Sequence, residues 1–530
     1  MNALTQSIRF WETLHHLINR EGMRLVHLNE REETAWIEDD RQKPYHLIRL
    51  ALKNYDWSNQ LQRDIEKIKE RAQQVRKRLG LRQANVTNVI LSAYLPVDDY
   101  ERYTNEALPF TAGGKKQFRT LILPLGDLKN RFFPIATEWK LKEMPPYLPE
   151  SYIEDSEQEE HLLRTLKYNV KQSLRKQEEK EKGVFLFGKP YFTFLLLSII
   201  LVIFGLVEMA GSTTSTLSLI QFGAKFDPLI LEGEWWRFFS AMFLHIGFLH
   251  LFMNSLALFY LGGAVERIFG TSRFIIIYFL AGFIGSVSSF VFNDNVSAGA
   301  SGAIFGCFGA LLYFGLIHKR LFFRTMGMNV IVILVINLAF GFLVPMVDNG
   351  AHIGGLIGGF AGSAIVGLPG QKGARSKMLA LLAAVTGSVI LLFAGYTQDA
   401  ESERIYVIYY QMAREAAEAG DYDTALHYLN QFEEGTQYIT DDRIMRDAAF
   451  LLSYTQIQTG EIDEAKGNLE QLVNDYPEFH EAQYNLALIY YEEGSYEEAL
   501  ERVEQALEAD PGNNDYQDLK SELEDLNQSS

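Results

Sequence analysis

Three short stretches in an apolar part of the chain carry side chains able to do chemistry. FLHIGFLHLFMN, residues 243–254, holds His245, His250 and Asn254; SAGASGAIFG, 297–306, holds Ser301; NGAHIGGLIGG, 349–359, holds His352. Polar groups at membrane depth are expensive and tend to be functional. His250 and Asn254, four apart, share one helical face. His245, five before His250, falls about 140° away on a continuous helix and is expected not to point with them. Ser301 lies between Ala300 and Gly302 where a loop becomes a helix, and free N–H groups at a helix start suit a developing oxyanion. Gly355 and Gly359 lie on the face of His352, a spacing that draws helices close. Each stretch alone also reads as plain packing or an interhelical hydrogen bond. Together they supply a nucleophile, a base and two donors, the parts of a serine peptidase. Asp348, just before His352, is read as a solvated loop residue, which leaves a Ser–His dyad. No HExxH zinc motif and no pair of intramembrane aspartates competes.

Seven apolar segments must position these groups, near 191–210, 240–262, 272–292, 301–318, 327–346, 350–368 and 377–396. A span needs about 20 apolar residues, and the shorter segments, rich in Gly and Ser, are expected inside the bundle. Lys and Arg cluster before the first segment and in alternate loops; only Lys225 and Arg237 interrupt the long first loop. The positive-inside rule then places the N-terminus in the cytoplasm and the C-terminus outside. Ser301, His352, His250 and Asn254 fall at one depth near the outer face, where a water-filled cavity is expected. Gly341 and Pro345 mark the fifth segment as the one able to move aside for a substrate.

The flanking regions differ in composition. The 530-residue chain has a net charge of −18, and 32 acidic against 7 basic residues lie between Gln398 and Ser530. Residues 1–150 read as a soluble cytoplasmic α+β domain: a first helix, strands at MRLVHL, TAWIE and YHLIRLAL, a charged helix from Trp57 to Leu81, then strands at NVTNVILSAYL and QFRTLILPL. LHHL (14–17) reads more readily as part of that helix than as a metal site. Residues 151–189 read as a charged linker, acidic at EDSEQEE and then basic and helical through LKYNVKQSLRKQEEKEK. The lone Cys307 excludes an intrachain disulfide. No basic cluster with interleaved aromatics points to nucleic acid, and no cofactor is expected. In the tail, GEIDEA at 460 and GSYEEA at 494 stand 34 residues apart, Pro477 and Pro511 keep that interval, and GDYDTA at 420 is an earlier copy with an insertion after it. This period resembles tetratricopeptide repeats (TPR), an all-α solenoid whose groove would take a peptide or protein ligand.

WWR (235–237), HIGFLHLFMN, GGAVERIFG (262–270), GASG and AHIGGLIGG, in this order, resemble the rhomboid intramembrane serine proteases over residues 190–370. The resemblance implies a six-helix α-helical membrane bundle that cleaves transmembrane protein substrates in the lipid bilayer. It implies Ser301 as nucleophile, His352 as base, and His250, Asn254 and the Ser301 N–H as the oxyanion hole. His245 would be structural, and Phe305 would pack under His352, where Tyr is common. Trp236, Arg237, Glu266, Arg267, Gly299, Gly302, Gly355 and Gly359 would support the site. A seventh helix at 371–397 and the extracytoplasmic repeats of 398–530 resemble the long bacterial GluP-like form. A catalytically silent rhomboid-like scaffold that binds client membrane proteins is the alternative. A transporter would need inverted repeats or paired broken helices, which the sequence lacks.

Overall fold

A computed structural model describes residues 1–41, 45–81, 84–104, 107–110, 117–147, 156–344, 346–397 and 402–529. Pro345 and the 150/151 boundary lie outside them. The chain divides into two compact units, Met1–Leu186 with Ile317–Met328, and Phe187–Leu316 with Asn329–Ser530.

The first unit holds α1 (Ala3–His15), β1 (Arg24–Asn29), β2 (Thr34–Asp39), β3 (His46–Leu52), α2 (Ser58–Arg78), β4 (Asn85–Ser92), α3 (Glu101–Thr104), β5 (Leu108–Pro109), β6 (Gln117–Pro124), α4 (Leu128–Glu138) and α5 (Ser156–Phe185). The sheet order is β1-β2-β3-β4-β6-β5. Strands β1 to β3 are antiparallel, while β3, β4 and β6 run parallel. A parallel β3–β4 pair requires a crossover, which α2 provides. Its stripe of Leu61, Ile65, Ile68 and Ala72 buries against Leu47, Val86, Ile90 and Phe118. The other face carries Ile48, Leu50, Val89 and Leu91 against Trp11 and Phe132.

The stretch read as a charged linker is mostly α5, whose Leu166 and Val170 join the core with Trp11 and Leu14. Its helical character was expected; its hydrophobic stripe is sparse, so its packing on the core was not. His16 is buried and its Nε2 is 2.9 Å from the Glu143 carbonyl oxygen, an ordinary structural contact. α14 (Lys319–Thr325) belongs to this unit: Arg320 pairs with Asp40 and lies over the Tyr45 ring at 3.9 Å.

The second unit begins with α6 (Tyr191–Ala210), α7 (Thr216–Gln221), α8 (Asp227–Leu231), α9 (Arg237–Ser240), α10 (Gly247–Ala257), α11 (Gly263–Phe269), α12 (Thr271–Phe292) and α13 (Ser301–Ile317). It continues with α15 (Gly327–Leu343), α16 (Asn349–Val366) and α17 (Ala374–Thr397). Among the described residues four helices are long and apolar enough to cross a membrane, or five if α14 and α15 form one bent span. The second span runs from Gly247 to Phe269, later than the 240–262 expected, because Arg237–Phe243 form short turns and Gly247 adopts φ +71°. GGAVERIF therefore ends a span. Its buried Glu266 accepts from the backbone N–H of Phe192 and Thr193 and from the hydroxyls of Thr193 and Thr271 at 2.7–2.9 Å. Arg267 is exposed there and uses its backbone carbonyl, which accepts from Gly188 at 2.8 Å.

α12, α13 and α16 pack almost backbone to backbone. A Cβ on Gly355 would stand 1.9 Å from the Gly302 carbonyl oxygen, and one on Gly359 2.0 Å from that of Gly306. The tail is helical throughout its described part: α18 (Glu403–Glu418), α19 (Tyr422–Glu433), α20 (Asp442–Thr459), α21 (Ile462–Asp475), α22 (His480–Glu492), α23 (Tyr496–Ala509) and α24 (Asn514–Ser529). The repeated alanines, Ala425, Ala465 and Ala499, are fully buried and let paired helices close together. The extra residues of the first copy form a turn at Thr436–Tyr438 and a longer α20.

Candidate active site

Ser301 is the first residue of α13. One turn on, Phe305 stacks flat on the His352 ring, with centroids 4.1 Å apart and 14° between planes. Because residues i and i+4 share a face, Phe305 carries the imidazole on the Ser301 side of α13. The Gly302–Gly355 contact clamps the same level. Asp348 differs from its expected solvated role. It caps α16, accepting from the Ala351 N–H at 2.8 Å and from the Ser289 hydroxyl at 2.5 Å. It thus fixes the turn that bears His352. His352 Nδ1 is buried without a hydrogen-bond partner among the described residues.

The donor side is built on α10. His250 Nδ1 accepts from the Ile246 N–H at 3.3 Å. A neutral imidazole accepting at Nδ1 carries its proton on Nε2. That Nε2 lies 3.0 Å, and Asn254 Nδ2 3.5 Å, from where a Cβ on Gly299 would stand. Gly299 has φ +148°, which an L side chain rarely adopts, and a side chain there would meet both donors. Asn254 Nδ2 is buried with no hydrogen-bond partner among the described residues. Such an orphaned donor calls for an explanation. Here two N–H groups converge beside the backbone two residues before Ser301.

His245 departs from the helical arithmetic. It precedes α10 in an extended link, outside the 3.6-residue period, and its ring meets His250 edge-on with centroids 5.2 Å apart. Buried at 2 % exposure, it packs against the His250 ring.

The long loop before α10 is folded around Arg237. Its guanidinium donates to the carbonyls of Ile220 and Ala224 at 2.7 and 2.9 Å and to Glu234 at 2.6 Å, and stacks on Trp236 at 4.8 Å. Lys225 and Asp227, which patterning did not single out as site residues, hold the segment leading to Ser301. Lys225 is 1 % exposed, exchanges both backbone hydrogen bonds with Ser297 at 2.9 and 3.0 Å, and sends Nζ to the carbonyls of Asn293 and Asn295 and to Asp227. Burial pushes the Asp227 carboxyl up to about 6, with Lys225 opposing. The signal in the sequence was a lone lysine in the long loop between the first two apolar segments, which is otherwise almost free of basic residues. Gly299 N–H donates to the Ala241 carbonyl at 2.9 Å, tying the same segment to the turn before His245.

With this geometry in hand, the comparisons are specific. A Rhomboid domain model matches residues 232–369 and a Tetratricopeptide repeat model residues 456–523. The chain is 37% identical over 493 residues to Rhomboid protease GluP of Bacillus subtilis (strain 168), covering 91% of each chain. It is 38% identical over 133 residues to Putative rhomboid protease YdcA of the same organism, covering 25% of this chain and 67% of that one. RHOMBOID-like protein 5 of Arabidopsis thaliana is 41% identical over 148 residues, 27% of this chain and 48% of its own. Glycine-locked helices, a serine at the start of the helix whose Phe305 stacks on His352, a repeat-bearing tail and a relative matched over 91% of each chain lead to one statement: the chain belongs to the rhomboid family of membrane proteases.

Proposed function

We propose that the chain is an intramembrane serine endopeptidase in which Ser301 and His352 form a catalytic dyad. Its substrates are transmembrane segments cut near the outer membrane face. The observation that carries this reading is the pair of donors, His250 Nε2–H and the orphaned Asn254 amide, converging beside Gly299. Ser301 attacks the scissile carbonyl while His352 takes its proton and returns it to the leaving amine. The two donors and the Ser301 N–H receive the oxyanion, an interaction realised fully only as the carbonyl becomes tetrahedral. Nothing must reorganise on the His250 side, since its tautomer is already set by Ile246.

We further assign seven spans, with residues 1–150 and α5 cytoplasmic, 190–370 catalytic, 371–397 the seventh span, and 398–530 an extracytoplasmic repeat solenoid whose groove takes peptide or protein ligands. α15 supports the substrate route. Val330 and Leu334 are the large apolar side chains it buries, while Val332, Ile333, Val335, Ile336, Phe340, Phe342 and Leu343 are exposed for lipid, so it can move aside at small cost.

The test is cleavage of a single-span substrate by the full-length protein in liposomes. Ser301→Ala is expected to lower kcat at least about 10³-fold, as loss of a nucleophile does elsewhere. Cleavage by the variant at the parent rate removes the dyad.

A further inference from the structure

The repeat region is joined to the catalytic loop by a built contact. Glu415, on α18, accepts from the Ser215 hydroxyl at 2.7 Å and from the N–H groups of Thr216 and Leu217 at 3.2 and 2.9 Å. It thereby satisfies the start of α7, where free backbone donors would otherwise lie. Beside it, Ile405, Ile408, Tyr409 and Met412 bury against Ile220 and Phe226 of the loop, and the Phe226 ring meets Tyr409 edge-on at 5.7 Å. Phe226 follows Lys225 directly, and Lys225 is the residue bonded through its backbone to Ser297. Val296, adjacent to Ser297, packs on the same cluster. A continuous path therefore runs from α18 through Phe226 and Lys225 to the segment that ends at Gly299 and Ser301. The same apolar residues of α18 also pack on Phe432 and Ala448 of the repeats, so the contact is continuous with the repeat core.

We propose that α18 is an intramolecular brace of the active site, and that Glu415 and Tyr409 are positioning residues for the Ser301 reaction. The inference rests on the Ser301–His352 reading. By holding α7 and the Lys225–Ser297 bridge, α18 keeps Gly299 against the donors and Ser301 at the level of His352. Catalysis is sensitive to such placement, and a shift of about 1 Å can cost a hundredfold in rate. The repeat region thus acts on kcat, separately from any ligand its groove holds.

The test uses full-length protein in liposomes, a single-span substrate with a very short extracytoplasmic part, and a small fluorophosphonate that labels an activated serine without engaging the repeats. Glu415→Ala and Tyr409→Ala are expected to lower both kcat and the labelling rate about tenfold or more, with KM within twofold. Glu415→Gln, which keeps one acceptor oxygen, should retain an intermediate rate, and Leu523→Ala, at the far end of the repeats, the parent rate. The brace is overturned if kcat and labelling are unchanged in both α18 variants. It is also overturned if only KM rises, or if Leu523→Ala loses as much as they do. Failure of the dyad reading looks different: the parent itself is not labelled, and Ser301→Ala still cleaves.

Discussion

The chemistry depends on a few atoms whose partners are fixed in advance. His250 is a donor because Ile246 occupies its other nitrogen, and Asn254 presents an Nδ2 with no partner among the described residues. A buried donor left unpaired costs roughly 1–3 kcal/mol, a cost that makes sense if the missing acceptor is the oxyanion. Removing the donor should therefore stabilise the resting protein slightly while slowing the reaction. Asn254→Ala is expected to lower kcat about 10²- to 10³-fold with little change in KM, measured on the liposome substrate. Combined with His250→Ala, the loss should fall short of the product of the two, as the proposed sharing of one oxyanion requires. A rise in KM alone would assign Asn254 to substrate binding instead.

Secondary-structure elements set how closely these atoms meet. α13 and α16 cross with glycines at both contact levels, so Phe305 reaches His352 without a side chain wedging the helices apart. A methyl group at Gly355 would need to sit 1.9 Å from a backbone oxygen, and a helix backbone cannot swing away as a side chain does. Gly355→Ala is expected to cost about 1–3 kcal/mol or more and to reduce cleavage beyond the loss of folded protein, read by thermal unfolding beside kcat. Gly387 in α17 has nothing within 4 Å of its Cβ position, so Gly387→Ala is expected to be neutral or mildly stabilising.

At the scale of the whole molecule, charge and packing point the same way. The acidic repeats dock through α18 on the loop that leads to Ser301, which supports placing them on the active-site side of the membrane. Basic residues flank the opposite ends of the spans. Cys307 is fully buried and is the single cysteine, so the parent is a silent background for labelling. In intact cells a membrane-impermeant maleimide is expected to label Glu508→Cys, and Lys67→Cys only after lysis. The reverse pattern would invert the topology.

By itself the sequence determined which residues face one another along a helix and which segments are apolar. His250 and Asn254 share a face, Ser301 opens a helix, the glycines of AHIGGLIGG form a stripe, and the strands of the first unit lie close to where alternation puts them. Each of these follows from a local period, 3.6 or 2 residues, which one stretch of chain carries complete. Tertiary structure alone decided what the period does not reach. α10 begins only at Gly247, two residues after His245, so His245 lies off the helix and meets His250 after all. Asp348, a local cap through Ala351, is also tied to Ser289 of another helix, a partner 59 residues away in the chain. α5 proved packed because its few apolar residues find α1. Lys225 and Glu415 gained their roles from partners about 70 and 200 residues away in the chain, contacts that no local pattern encodes.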